Sequence, residues 1–200
     1  EVLAAALSET FLEVILASDV TEEARAVFAR KKRLRILTLD AAGWDADALP
    51  PVPRAISGGV LVQEADQIVE VVRSCDVVTK RQPTQAEWEA MAFGWALCRH
   101  VKSNAIVFAH SDRAAAIGAG QMSRVDSSRL AVMKATDSLD GSIVASDAFF
   151  PFPDGVEAAA AAGATAVVQP GGSIKDPDVI AAADRLGLAM VFTGRRHFRH

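Results

Sequence analysis

The strongest constraint on this chain is an alternation. Short apolar runs rich in β-branched residues, at 104–109, 142–146, 165–169 and 188–193, are each separated from the next by a longer stretch that includes a helical segment. That alternation is the signature of an α/β fold, a layered sheet with flanking helices. The N-terminal part reads the same way on a smaller scale. Residues 10–17 and 34–39 are predicted strands, and Thr21 offers an N-cap to a helix running to about residue 32, with Glu22 and Glu23 in its first turn. A loop rich in Pro, Gly and Asp, AAGWDADALPPVPRA, follows, and residues 55–63 contain a further strand.

Pro83-Thr84 followed by Glu87 is a capping-box pattern, which opens a helix over 85–101. Trp88, Met91, Phe93, Trp95 and Leu97 supply its apolar contacts and read as core. Further helices are predicted at 127–138, 154–162 and 178–186. The second starts at Asp154 as a plausible cap, contains a run of alanines, and ends at Gly163, where a C′ glycine belongs.

Two hundred residues allow one medium domain or two small ones that share an interface. Half the residues are apolar and 23% are charged, which excludes global disorder. A net charge of −4 gives no electrostatic reason to expect nucleic acid, and no uninterrupted apolar run is long enough for a membrane span. The N-terminus is apolar but begins with Glu1 and has no basic segment, so a signal peptide is not expected. Glu1 is not an initiator Met, which points to a processed or partial polypeptide. Cys75 and Cys98 lie outside any CxxC and read as inert, reduced thiols of a cytoplasmic protein.

In open α/β sheets, ligands gather where strand carboxyl ends meet loops and helix N-termini. That rule selects SDAFFPFPDG, QPGGSIKD and TGRRHFRH, each following a predicted strand. The aromatic loop at Phe149, Phe150 and Phe152 is either a hydrophobic plug or a platform for a flat heterocycle. Asp154 either caps its helix or accepts from ring N–H groups. The basic tail at Arg195, Arg196 and Arg199 is either a solvated terminus or a bidentate clamp for phosphate or carboxylate. A fourth segment, IGAGQMSR, has Gly118 and Gly120 for close backbone approach and Arg124 as a cation, although tight turns use the same glycines. No HxE…PCxxC, HExxH or GxSxG occurs, so zinc-deaminase chemistry has no ligands. His100, His110, His197 and His200 pair with no obvious nucleophile.

Seven collinear blocks carry a resemblance: GGVLVQ (58–63), VVTKRQPT (77–84), VKSNAIV (101–107), GAGQMSRV (118–125), ASDAFFPF (145–152), QPGGSIKD (169–176) and RHFRH (196–200). They resemble the PurH family of bifunctional AICAR transformylase/IMP cyclohydrolases, and the chain is identified as the C-terminal part of its transformylase region. The resemblance implies formyl transfer from 10-formyltetrahydrofolate to AICAR, giving FAICAR, with FAICAR closed to IMP elsewhere in the polypeptide. It implies a cytidine-deaminase-like subdomain without zinc, in a homodimer whose sites draw on both subunits. Asn104, Arg124, Phe149 and Arg196 match AICAR-contacting positions, with Asn104 polarising an amide or formyl oxygen. Val125, Asp154, Ser173 and Ile174 match positions lining the folate pocket. A potassium ion has a place near Ser103 and Asp147.

The family's Lys-His pair for proton transfer belongs to a K-H-x-N-P segment that these 200 residues lack. The upstream transformylase subdomain and the cyclohydrolase domain are likewise outside the sequence. The chain alone is therefore expected to be catalytically silent, supplying binding residues to a larger assembly. Should it turn over alone, His197 and His200 are the first candidates for the missing proton-transfer group. Asp126 brings an acid close to the presumed pocket. The alternative is a non-catalytic nucleotide-binding or dimerisation module built on the same crevice.

Overall fold

A computed structural model describes residues 2–40, 50–67 and 70–199. The chain divides into two compact units, residues 1–67 and 68–200. In the first, helix α1 (Val2–Ser8) and helix α2 (Glu22–Phe28) accompany a parallel pair of strands, β1 (Val14–Ala17) and β2 (Arg35–Thr38). Thr21 caps α2 as its position predicts, its hydroxyl accepting from the Ala24 N–H. Phe28, Ala24 and Ala4 form a small core. Where one strand is predicted at 55–63 there is a hairpin, β3 (Val52–Ile56) and β4 (Gly59–Gln63). Gly58, at φ 82°, makes the reversal in the turn between them. Most of the predicted 41–55 loop, residues 41–49, lies outside the described residues.

The second unit is built on six strands in the order β5 (Asp76–Val77), β10 (Ala189–Phe192), β9 (Ala166–Gln169), β8 (Ile143–Ser146), β6 (Ile106–Ala109) and β7 (Ala114–Gly118). Strands β8, β9 and β10 are parallel to one another, whereas β5, β6 and β7 each run antiparallel to the neighbour they join. Successive side chains of a strand point to opposite faces. Ile106, Phe108, Val144, Val167 and Met190 accordingly enter one core, and Val107, Ala109, Ile143, Ala145, Val168 and Val191 the other. Helix α3 (Gln85–Cys98) covers the second face through Met91 and Trp95, both fully buried. Helices α4 (Arg124–Lys134), α5 (Asp154–Ala161) and α6 (Asp176–Arg185) cover the first through Ala131, Val156, Ala159, Val179 and Ala183. Burial on both faces is why the central strands read as unbroken apolar runs.

The predicted capping box opens α3: Thr84 Oγ1 accepts from the Glu87 N–H at 3.2 Å, and Glu87 Oε2 accepts from the Thr84 N–H at 2.7 Å. The same Glu87 carboxylate takes Arg81 bidentately at 2.9 and 2.7 Å. Arg81 also donates to the carbonyls of Gly187 and Thr165, so the block VVTKRQPT clasps the start of α3 to the β9 and β10 connections.

The structure corrects three sequence expectations. Helix α4 begins at Arg124, not at 127, because Ser123 is the N-cap and accepts from the Asp126 N–H at 3.2 Å. Asp126 is thereby an exposed first-turn residue, bonded to Ser123 and ion-paired with Arg129. Asp154 is not the cap of α5: Pro153 holds that position, and the Asp154 carboxylate accepts from the N–H of Gly155 at 2.8 Å. Third, Gly118 is a packing residue at the end of a strand that the sequence reading does not predict. A Cβ there would sit 1.8 Å from the carbonyl oxygen of Ser127, so α4 lies directly on β7 at this point.

Gly118→Ala is therefore expected to force helix and strand apart and to lower stability by about 2–3 kcal/mol, read as a lower urea midpoint. For Glu87, burial pushes the carboxyl up, but the Arg81, Thr84 and Thr165 bonds outweigh it and hold it at about 2, against 4.5 as reference. The folded state then binds fewer protons than the unfolded one. Its contribution, about 3 kcal/mol at most, is full above pH 4.5 and is lost as pH falls toward 2. Glu87→Gln flattens that part of the acid-unfolding profile.

Candidate functional site

The strand directions bring the predicted segments to one edge of the sheet. The carboxyl ends of β8, β9 and β10 share it, and the antiparallel pairings add the start of β6, the end of β7 and the start of β5. Ser103 and Asn104, the Gly118–Arg124 connection, the aromatic loop, QPGGSIKD and the C-terminal tail therefore all open onto the same side.

Asp147, directly after β8, joins several of these segments. It is fully buried. One carboxylate oxygen accepts from Arg124 Nη2 at 3.1 Å and the other from the Ser103 hydroxyl. Its carbonyl accepts from the His197 N–H at 3.0 Å, and its own N–H donates to Ala105. Ser103 reaches the tail a second time, donating its N–H to the Arg199 carbonyl at 2.8 Å and accepting from the Arg199 N–H at 3.3 Å. Asn104 is oriented by donating Nδ2 to the Gln121 carbonyl at 2.8 Å, while its own carbonyl accepts from Ser127 Oγ.

Phe149 and Phe150 divide the two roles open to the aromatic loop. Phe150 is the plug: it is buried at 1% exposure, and its N–H donates to the buried Gln169 Oε1 at 2.8 Å. Phe149 is half-buried with the Arg196 guanidinium 4.7 Å from its ring centroid, a cation–π geometry. Of the four residues expected at a nucleotide, Arg124 is held by Asp147 and Phe149 stacks with Arg196, while Asn104 is held by Gln121 and by Ser127 of α4. Of the second set, Val125 adjoins Arg124 in α4, and Asp154 starts α5. Ser173 and Ile174 lie on the loop before α6, where Asp176 accepts from the Gly172 and Ser173 N–H groups at 2.7 and 3.1 Å. Ile174 is 98% exposed. The bond from Phe150 to Gln169 links the aromatic loop to the strand from which this last loop departs.

Sequence reasoning missed the β5 side of the site. Cavities of 390 Å³, lined by Ser74, Cys75, Asp76, Pro170, Phe192, Thr193 and Gly194, and of 560 Å³, lined by Glu70, Thr193, Gly194, Arg195 and Arg196, open there. A strand of two residues carries too little periodicity to be seen. Both thiols are pushed above the ordinary cysteine range. Burial does this for each, reinforced by Glu70 and Asp76 at Cys75; at buried Cys98 it is reinforced by Asp147 and opposed by Arg124. Raised values suit inert thiols. Among the described residues, no group of three or more His, Cys, Asp or Glu is placed to hold a metal ion, and no helix is long and apolar enough to cross a membrane.

A family model for the AICARFT/IMPCHase bienzyme matches residues 1–134. The chain belongs to the AICARFT/IMPCHase bienzyme family. The "Bifunctional purine biosynthesis protein PurH" of Chloroflexus aurantiacus is 58% identical over 202 residues, covering 98% of this chain and 39% of that protein. The proteins of the same name from Paracoccus denitrificans and Myxococcus xanthus are 54% and 53% identical, with the same coverage. The chain thus spans about two fifths of the length of these members of the bienzyme family.

Asp147→Asn tests the centre of this arrangement. It leaves the Arg124 guanidinium, only 13% exposed, without its counter-charge. A loss of about 3–5 kcal/mol is expected, measured by urea unfolding, since breaking a buried pair from one side strands the other charge.

Proposed function

We propose that the chain is the C-terminal part of an AICAR transformylase region, with the fold of a cytidine-deaminase-like subdomain that uses no zinc. In this reading a formyl group passes from 10-formyltetrahydrofolate to AICAR, and the parent polypeptide also cyclises FAICAR to IMP. The observation that carries it is the Asp147-centred cluster. Arg124 is oriented by Asp147, yet its Nε–H is buried without a hydrogen-bond partner among the described residues. A buried donor left unsatisfied costs about 1–3 kcal/mol, which a bound anion's oxygen would recover.

Asn104, Arg124, Phe149 and Arg196 contact AICAR. The amide nitrogen of Asn104 has two hydrogens: one goes to the Gln121 carbonyl, and the second donates to a substrate carbonyl oxygen as charge develops on it. Phe149 packs on the heterocycle's side of the site, and Arg196 supplies positive charge over it. Val125, Asp154, Ser173 and Ile174 line the folate side, where the exposed Ile174 supplies apolar surface for a pterin. In the transfer, the AICAR amine attacks the formyl carbon, loses a proton, and expels tetrahydrofolate as its N10 is protonated.

The proton carriers are the Lys-His pair of the upstream subdomain, outside this chain. Of the two candidate histidines within it, His197 is interior at 1% exposure and His200 lies outside the described residues. Ser103 and Asp147 offer the oxygen donors a potassium ion takes. A cation there would share Asp147 with Arg124 and Ser103, and no step is routed through it. The assembly is a cytoplasmic homodimer whose sites draw on both subunits, with no nucleic-acid or membrane partner. The runner-up, a non-catalytic nucleotide-binding or dimerisation module, is favoured only by the absence of a proton carrier from this chain.

The test is formyl transfer from 10-formyltetrahydrofolate to AICAR by the chain alone and after co-refolding with its upstream region. Turnover appears only in the reconstituted sample, at least about 10²-fold above the chain alone. AICAR binding without turnover in both samples would favour the module.

A further inference from the structure

Residues 193–199 carry no helix or strand, yet they hold the arginine that stacks on Phe149. The backbone is bonded at separate points, the His197 N–H to Asp147 and the Arg199 N–H and carbonyl to Ser103, so the guanidinium between them keeps one place only where the flanking side chains are anchored as well. The anchor lies on a segment far away in the chain. Glu70 Oε2 accepts the Trp95 indole N–H at 3.1 Å and lies 3.2 Å from Nε2 of His197, while Glu70 Oε1 is ion-paired at 2.5 Å with Nε of Arg195, without hydrogen-bond geometry. Trp95 is fully buried and His197 is 1% exposed, with their rings edge to face at 4.9 Å. Burial pushes the Glu70 carboxyl up, but the bonds from Trp95, the backbone and His197 outweigh it and hold it below the ordinary range. An ionised carboxylate only accepts, so Nε2 of His197 carries the hydrogen.

Arg195 and His197 stand on either side of Arg196. Both side chains are drawn to one carboxylate, the His197 N–H is bonded to the Asp147 carbonyl, and the residue between them carries its guanidinium over Phe149. We infer that Glu70 is a positioning residue for the nucleotide site: its carboxylate latches Arg195 and His197 and so holds Arg196 on Phe149. The inference rests on Arg196 being a nucleotide contact, as proposed above.

The experiment compares Glu70→Ala, Glu70→Gln, Arg196→Ala and the Glu70→Ala/Arg196→Ala pair in the full-length polypeptide. Steady-state constants for both substrates are read beside amide hydrogen exchange over residues 195–199. Glu70→Ala speeds that exchange and raises the AICAR KM about tenfold, the 10-formyltetrahydrofolate KM staying within about twofold. The double variant is no worse than Arg196→Ala alone, because both changes remove one contact. Glu70→Gln keeps an acceptor for the Trp95 N–H, so it stays folded and falls between. Unchanged exchange over residues 195–199 in both Glu70 variants, additive losses in the double variant, or an equal rise in both KM values would overturn the latch. If Arg196→Ala weakens AICAR and Glu70→Ala does not, the positioning role alone falls. If neither does while the tail is freed, the site reading falls and takes the positioning role with it.

Discussion

A carboxylate removed from water is tolerable only when a cation and hydrogen-bond donors surround it. Asp147 is the place where this protein meets that requirement, and much of the site is a consequence. Arg124 must approach from the α4 N-terminus and the Ser103 hydroxyl from the start of β6, while the Asp147 backbone takes the tail at His197. Three separate segments are brought to one point by one charge. The guanidinium is held by Nη2, and its Nε–H is left in the interior without a partner among the described residues.

The sheet supplies the stage for that meeting. Three parallel strands end on the same edge, and antiparallel neighbours fold back so that their connections reach it too. The Arg81–Glu87 clasp stabilises the opposite requirement, that α3 remain seated over the buried face where Trp95 lies. Trp95 then serves twice: its ring fills the core, and its N–H reaches Glu70. Core packing and tail placement are therefore physically continuous.

What was legible in the sequence was what is decided locally. Thr21 and the Thr84–Glu87 box were visible because an N-cap satisfies donors two or three residues away. The central strands were visible because burial on both faces removes polar residues from them. Strand β7, with three alanines and a glycine in five residues, has little β-branched character and leaves no such trace. The start of α4 is obscured because Ser123 sits among turn-forming residues whose pattern competes with a helix. The candidate residues Asn104, Arg124, Phe149 and Arg196 emerge from family resemblance and strand-end logic, whereas Glu70 carries no local signal at all.

By itself, then, the sequence determined the α/β class, the apolar strands, the caps at Thr21 and Thr84 and the segments that meet at strand ends, since periodicity and capping act within a few residues. Tertiary structure alone decided that Gly118 is a packing contact, that Phe150 is the plug while Phe149 faces Arg196, and that His197 is interior. It also decided that Glu70 meets partners 25 and 127 residues away. Hydrogen bonds and ion pairs over such separations depend on strand order and direction, which set distances that no local pattern encodes.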